Sequence, residues 1–180
     1  MVRLIPFTKK DFAQVLEWIK SPELLIQWAG PHLFTYPLNE GQLQAYLQYG
    51  EGEHSQAKIF KVVNERTETC GHIELGAIRR ENETATICRV FVDPRFRGKG
   101  LCFEAVQQVL AIGFRELGLR RIDLRVFGFN TAAIRCYERA GMVKEGLLRK
   151  ATRVGDRYWD TMMMAILREE WEGKQSRASL

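Results

Sequence analysis

The order of apolar patterns along the chain predicts an α/β fold in which strands and helices are interleaved within one domain. Three observations carry this. The middle of the chain holds three strand patterns joined by short polar turns. A strand, a basic glycine loop and a helix follow them directly. A second strand–helix pair and a terminal hairpin then close the chain. At 180 residues the chain is long enough to bury a full core as a single domain over 1–180.

The elements are justified in order. Val2–Phe7 alternates as a strand. Thr8 can cap a helix over Lys9–Lys20, with Phe12, Val15, Leu16 and Ile19 on its buried side. Ser21-Pro22 opens a second short helix. Trp28–Pro37 is too interrupted by Gly and Pro for regular structure, and Asn39 can cap the helix that carries Leu43, Tyr46 and Leu47. Lys58–Val63, Cys70–Arg79 and Thr84–Val92 read as strands of an antiparallel meander, because their links are short. The helix Leu101–Leu117 presents Leu101, Ala105, Val109 and Ile112 on one face and ends at Gly118. Arg121–Phe127 is a strand. Asn130 caps a helix that stops near Gly141. Met142–Lys150 and Tyr158–Leu167 form a hairpin with Gly155-Asp156 in its turn. Glu172–Leu180 is expected to fray, 173–180 most of all.

Composition excludes several classes. No apolar run approaches the ~20 residues of a membrane span, and MVRLIPFTKKDF lacks the apolar core of a signal peptide. Cys70, Cys88, Cys102 and Cys136 have no CxxC spacing, so no metal is expected and reduced thiols in a cytoplasmic protein are the default. The net charge of +5 suits an anionic ligand. The arginines are scattered and no nucleic-acid motif accompanies them, so no nucleic-acid partner is expected.

The loop Arg95-x-x-Gly98-x-Gly100 between strand and helix is the strongest chemical signal. Its glycines allow close backbone approach, and N–H groups at a helix start can converge on an anion. Arg97 and Lys99 add charge. A P-loop is excluded because no Ser or Thr follows Lys99, and a dinucleotide fingerprint because Phe103 stands where a third glycine is needed. A basic solvated turn is the plain alternative. Downstream, Asn130, Ala133 and Tyr137 lie about one turn apart on one helix face. Asn130 can hydrogen-bond amides, small Ala133 lets a ligand lie close, and Tyr137 brings a protonated phenol. Alone they read more readily as a cap and a core aromatic.

Together these blocks resemble the GNAT acetyltransferase superfamily. Arg95-x-x-Gly98-x-Gly100 looks like its diphosphate motif, and Asn130…Ala133…Tyr137-Glu138…Gly141-Met142 like its second cofactor motif. RLIPFTKKDFAQVLEWIKSPE and EGLLRKATRVGDRYWDTMMMAILREEW are similar to its ribosomal-protein alanine acetyltransferase (RimJ/RimL-like) branch. The resemblance implies a mixed, strongly twisted sheet flanked by helices, with Thr84–Val92 splayed from Arg121–Phe127. It implies acetyl-CoA as co-substrate, held by Phe91, Val92, Arg95, Arg97, Gly98, Lys99, Gly100, Leu101, Asn130 and Ala133. Backbone groups near Phe91 and Val92 would pair with the pantetheine amides. A primary amine would attack the thioester directly, and Tyr137 would protonate the departing thiolate. The cysteines would be bystanders, Cys136 lying on a different helix face from Tyr137.

The strand TATICRVFV carries no carboxylate, so Glu74 on the preceding strand is the nearest candidate base, with His72 on the same face. A lysine or polyamine amine is only about 0.1% neutral at pH 7.4, whereas a peptide α-amine is roughly a quarter neutral. A weak base therefore points to the α-amine of a protein or peptide. A small-molecule amine is the alternative acceptor, and a catalytically idle acyl-CoA sensor a further one. Trp28, His32, Phe34 and Tyr36 are the candidate acceptor wall. The chain is expected to act as a monomer or homodimer.

Overall fold

The computed structural model describes residues 1–52 and 55–178. A seven-stranded sheet is ordered β1-β2-β3-β4-β5-β7-β6. Its strands are β1 (Arg3–Pro6), β2 (Lys58–Val63), β3 (Thr69–Arg79), β4 (Thr84–Val92), β5 (Arg121–Phe127), β6 (Val143–Val154) and β7 (Arg157–Leu167). Every neighbouring pair is antiparallel except β4 and β5. The sheet is therefore mixed, and its parallel junction lies where the glycine loop and its helix make the crossover.

Helices cover both faces. On one side α1 (Phe12–Trp18), α2 (Pro22–Ala29) and α3 (Glu40–Tyr49) bury Phe12, Val15, Trp18, Leu25, Trp28, Leu43 and Tyr46. On the other, α4 (Leu101–Ala111), α5 (Thr131–Ala140) and α6 (Arg168–Ala178) pack Val106, Val109, Leu110, Ile134, Ala140 and Trp171 onto Ile73, Leu75, Ile122, Leu124 and Ile166. No helix among the described residues is long and apolar enough to cross a membrane.

Several elements differ from the sequence reading. The first helix is shorter than Lys9–Lys20: a 3-10 turn over Lys9–Asp11 precedes α1. Ser21-Pro22 explains its end, since a residue before proline disfavours helix; Ser21 instead caps α2 by accepting from the Leu24 N–H at 3.1 Å. Trp28 belongs to α2 and not to the irregular segment. Leu101–Leu117 is α-helical only to Ala111, then widens to π-type turns over Ile112–Glu116. Strands β6 and β7 run longer than read and meet at a two-residue turn. Glu172–Leu180, read as frayed, instead continues α6 to Ala178, anchored by the buried Trp171; residues 179–180 lie outside the described residues.

Two features of β4 position the site. Strands β4 and β5 pair from Thr84↔Arg121 to Ile87↔Leu124 and no further. The Thr86 hydroxyl donates to Asp123 at 2.8 Å just before they part. Beyond Ile87, β5 stays with β7 while β4 follows β3. In that stretch β4 carries a bulge. Its register against β3 jumps between His72↔Phe91 and Glu74↔Cys88, and Arg89 sits at φ 50°. The bulge turns the end of β4 closely onto β3, where a Cβ on Gly71 would stand 2.4 Å from the Phe91 carbonyl oxygen.

Candidate active site

The parted strands leave a cleft of about 670 Å³ between the end of β4, the glycine loop, α4 and α5. Its walls come from Val90, Phe91, Val92, Phe96, Leu101 and Phe103 on one side. Phe129, Asn130, Ala133, Cys136 and Tyr137 form the other, and Leu24, Gln27 and Trp28 of α2 reach its edge. Among the described residues the charged members of the lining are Arg97, Arg135 and Arg139, and no carboxylate lines it.

The loop is built to leave donors open. Asp93 accepts from the Arg95 N–H at 2.9 Å and starts a 3-10 turn over Pro94–Phe96. Gly98 and Gly100 then take φ of 77° and 78°, the left-handed region that favours glycine. A Cβ at either would meet nothing within 4 Å, so open space lies beside the backbone. Among the described residues the N–H groups of Gly98, Lys99, Gly100 and Leu101 have no protein acceptor. They sit at the first turn of α4, where orphan donors and the helix dipole favour an anion. This donor set, the adjacent arginines and the apolar walls fit a diphosphate joined to an extended, mostly apolar arm.

The predicted residues divide by position. Phe91, Val92, Arg97, Gly98, Gly100, Leu101, Asn130, Ala133, Tyr137 and Trp28 come together on the cleft. Arg95 and Lys99 do not line it. The Arg95 guanidinium is bound to Asp93, with Nη2 to Oδ2 at 2.6 Å, and this hydrogen bond holds the Asp93 carboxyl down at about 2. Trp18 Nε1 also donates to Asp93 at 3.0 Å. The loop is thereby fastened to α1. The Lys99 ammonium stands 5.6 Å from the Phe96 ring centre. Arg97 donates from Nε to the Val92 carbonyl at 3.0 Å. Asn130 caps α5 by accepting from the Ala133 N–H at 3.2 Å.

Tyr137 is 6% exposed, and burial pushes its phenol well above the ordinary range. It is a proton carrier at neutral pH. Cys136 shares the cleft with Tyr137, contrary to the reading that put it on a different face. At mid-helix, adjacent residues flank one groove when the cleft runs along the helix.

Glu74 stands one layer behind. It is fully buried, and both its oxygens are engaged. Oε1 accepts from Arg89 Nη2 at 2.5 Å; Oε2 accepts from Arg89 Nε and from the Tyr46 hydroxyl, the latter at 2.5 Å. Burial, and then the Glu74 charge, push the Tyr46 phenol up. His72 is buried as well, and burial lowers it to about 4, so it is neutral near pH 7. Its Nδ1 lies 2.8 Å from the Arg89 carbonyl oxygen, which can only accept, so the proton is on Nδ1. Trp28 Nε1 donates to the same carbonyl at 3.0 Å. Arg89, Tyr46 and Asp93 were not singled out from sequence. Glu74 pairs with Arg89 from 15 residues away and with Tyr46 from 28, and Trp18 reaches Asp93 from 75, although Arg95, the other partner of Asp93, is two residues on. Only the parity of His72 and Glu74 hinted at this layer.

The acceptor candidates are dispersed. Phe34 is buried and stacks on Trp28 with centroids 5.5 Å apart. Tyr36 is exposed and donates to the Lys20 carbonyl at 3.0 Å, and His32 is exposed. Of the four, only Trp28 reaches the cleft.

A splayed parallel junction, a glycine loop at a helix start and a tyrosine-bearing helix opposite it define an acyl-CoA-dependent transferase. Comparison with known proteins places the chain more closely. The family model for the acetyltransferase (GNAT) domain matches residues 2–143, and the chain belongs to that family. It is 32% identical over 167 residues to the uncharacterized N-acetyltransferase YnaD of Bacillus subtilis, with 92% of each chain covered. It is 25% identical to the spermidine N(1)-acetyltransferase of Escherichia coli strain K12, over 94% of this chain and 88% of that protein. Spermidine N-acetyltransferase from Vibrio cholerae, solved in complex with CoA and spermine, superposes with a TM-score of 0.83. The match covers 95% of this chain and 98% of that one at 22% identity, a likeness of fold. The protein is an N-acetyltransferase that uses acetyl-CoA and acts on an amine. No cluster of His, Cys, Asp and Glu able to hold a metal occurs among the described residues.

Proposed function

We propose that the cleft is the acetyl-CoA site and that the acceptor is the α-amine of a protein or peptide, as in the ribosomal-protein alanine acetyltransferase branch. The free N–H groups of Gly98–Leu101 receive the diphosphate, and Arg97, Arg135 and Arg139 supply positive charge around it. The unpaired edge of β4 at Phe91 and Val92 offers backbone groups to the pantetheine amides. Asn130 and Ala133 flank the arm from α5. The neutral amine nitrogen bonds to the acetyl carbon, the C–S bond breaks, Tyr137 gives its proton to the departing thiolate, and the extra proton on the new amide nitrogen passes to water, from which Tyr137 is reprotonated. Glu74 serves as a positioning residue: it holds Arg89 and Tyr46 and so fixes the bulge that aims Val90–Val92.

The absence of any carboxylate from the lining carries the acceptor assignment. A site without a base on its wall suits an amine that is already partly neutral, roughly a quarter so for an α-amine at pH 7.4. The test is a panel at saturating acetyl-CoA, comparing kcat/KM for peptides with free N-termini, the same peptides N-terminally blocked with a free lysine, and spermidine. Peptide α-amines are expected to lead by at least tenfold. Equal or better turnover of spermidine would overturn the assignment and support a polyamine acceptor, the reading that the names of the spermidine acetyltransferase relatives favour.

A further inference from the structure

We propose that Cys102 and Cys136 form a reversible disulfide across the wall of the cofactor cleft, making it a modification site for small disulfide oxidants. Cys102 stands in the first turn of α4, two residues beyond Gly100, and Cys136 lies in α5. The helices pack together, and the two sulfurs are 3.0 Å apart. A covalent S–S bond is about 2.05 Å long, so closure needs an approach of only about 1 Å. Both thiols are free, partly exposed and face the cleft, so an oxidant can reach them.

The pair is also distinguished from the other cysteines. Cys70 is buried and its thiol donates to the Val62 carbonyl. Burial pushes the Cys88 thiol up to about 12. Cys136 is moved the other way, by its hydrogen bond with Cys102 and then by the Arg139 charge. Either sulfur can lead the exchange. With oxidised glutathione as oxidant and Cys136 leading, its thiolate attacks one sulfur and expels a glutathione thiolate. Cys102 gives up its proton and attacks the Cys136 sulfur of the mixed disulfide, expelling the second glutathione. Two protein thiols are oxidised to one disulfide, and one glutathione disulfide is reduced to two glutathione thiols.

The bond would tie the first turn of α4 to α5. That turn supplies the N–H donors of the loop, so drawing it about 1 Å sideways displaces them from a bound diphosphate. Oxidation and acetyl-CoA then oppose each other, each weakening the other by the same factor. This coupling rests on the cleft being the cofactor site; the cross-link itself does not.

The reduced full-length protein is incubated with oxidised glutathione, quenched by alkylation and digested. A cross-linked peptide pair joining Cys102 to Cys136 is expected, with the intact mass lower by two hydrogens. The Cys70→Ser/Cys88→Ser variant should behave identically, and dithiothreitol should reverse the change. Free thiols at both positions after exposure, or bonds to Cys70, Cys88 or a second chain, would overturn the proposal. Saturating acetyl-CoA should slow the reaction about tenfold, and the oxidised protein should bind acetyl-CoA about tenfold more weakly. A cross-link formed at the same rate with and without acetyl-CoA would overturn the coupling. Direct binding of acetyl-CoA to Gly100→Glu checks the site separately: affinity equal to wild type there would assign the failure to the location of the cofactor and not to the cysteines.

Discussion

Removing the Arg89 guanidinium should destabilise the protein far more than removing a surface ion pair. The Arg89 side chain is 13% exposed and the Glu74 side chain 0%. Arg89→Met leaves the Glu74 carboxylate in the interior with the Tyr46 hydroxyl as its remaining partner. Breaking a buried pair from one side costs about 3–5 kcal/mol. Arg89→Met belongs at the upper end, because Glu74 has no path to water. Glu74→Gln belongs at the lower end, because the arginine can turn its partly exposed head outward. Either is a large share of the 5–15 kcal/mol typical of a folded domain. The double variant Glu74→Gln/Arg89→Met strands no charge, so its loss should fall short of the sum by at least about 2 kcal/mol.

Urea denaturation of the four proteins measures this coupling. Additivity within about 0.5 kcal/mol would refute the argument. The pair also bears on function. Arg89 occupies the left-handed region, a conformation costing about 1–3 kcal/mol that persists only when its surroundings hold it. Without the guanidinium anchor the bulge relaxes, Val90–Val92 lose their aim, and acetyl-CoA affinity should fall with stability. A variant that lost stability but kept full affinity would show that the bulge is set by the Trp28 and His72 bonds alone.

Tyr137→Phe should lower kcat by about 10²- to 10⁴-fold while leaving acetyl-CoA affinity nearly unchanged, since it removes a proton donor from an intact wall; a wild-type rate would take Tyr137 out of the chemistry. Gly100→Glu places a side chain at φ 78° and a negative charge where the diphosphate would lie, so acetyl-CoA binding measured by calorimetry should be lost. Asp93→Asn should cost up to about 2 kcal/mol at pH 7, because Asp93 is held near 2 when folded against 3.8 as its ordinary value. The folded value is the lower one, so this stability is present above about pH 4 and disappears as pH falls through 2; thermal melts of the two proteins should converge there.

What the sequence disclosed follows the range of the interactions. Gly98 and Gly100 are needed for their own backbone angles, and Asn130 caps a helix three residues away, so local pattern suffices to find them. The pairing of Glu74 with Arg89 depends on how β3 registers against β4, and a bulge at Arg89 itself sets that register. Alternation placed His72 and Glu74 on one face but could not say that the face lies buried under α3. The contact of Cys102 with Cys136 needs α4 and α5 packed together, and spacing along the chain is silent about it. Arg95 is a different case. In Asp93-Pro-Arg95 the nearest anion to the arginine is its own neighbour, and its guanidinium pairs within the loop. The helix Arg168–Ala178 carries no apolar stripe to announce it; Trp171 packs it onto the core, and Arg168 ties its first turn to the Leu119 carbonyl.

The charge of the cleft also bears on how many positive charges its acceptor carries. Arg97, Arg135 and Arg139 favour an anion, and a bound diphosphate would largely neutralise them. What would then face the amine is the rest of the lining, which is apolar, amide, thiol or the Tyr137 phenol, with Trp28 at its edge. On the proposed reading, one partly neutral amine enters such a site and reacts. A polyamine brings further ammonium groups, and no carboxylate on these walls compensates their loss of water. Introducing one should therefore matter. Gln27→Glu places a carboxylate on the α2 edge of the cleft and should raise kcat/KM for spermidine relative to an N-terminal peptide. If the ratio stays fixed, the lining does not select the acceptor, and the selectivity must be sought outside it.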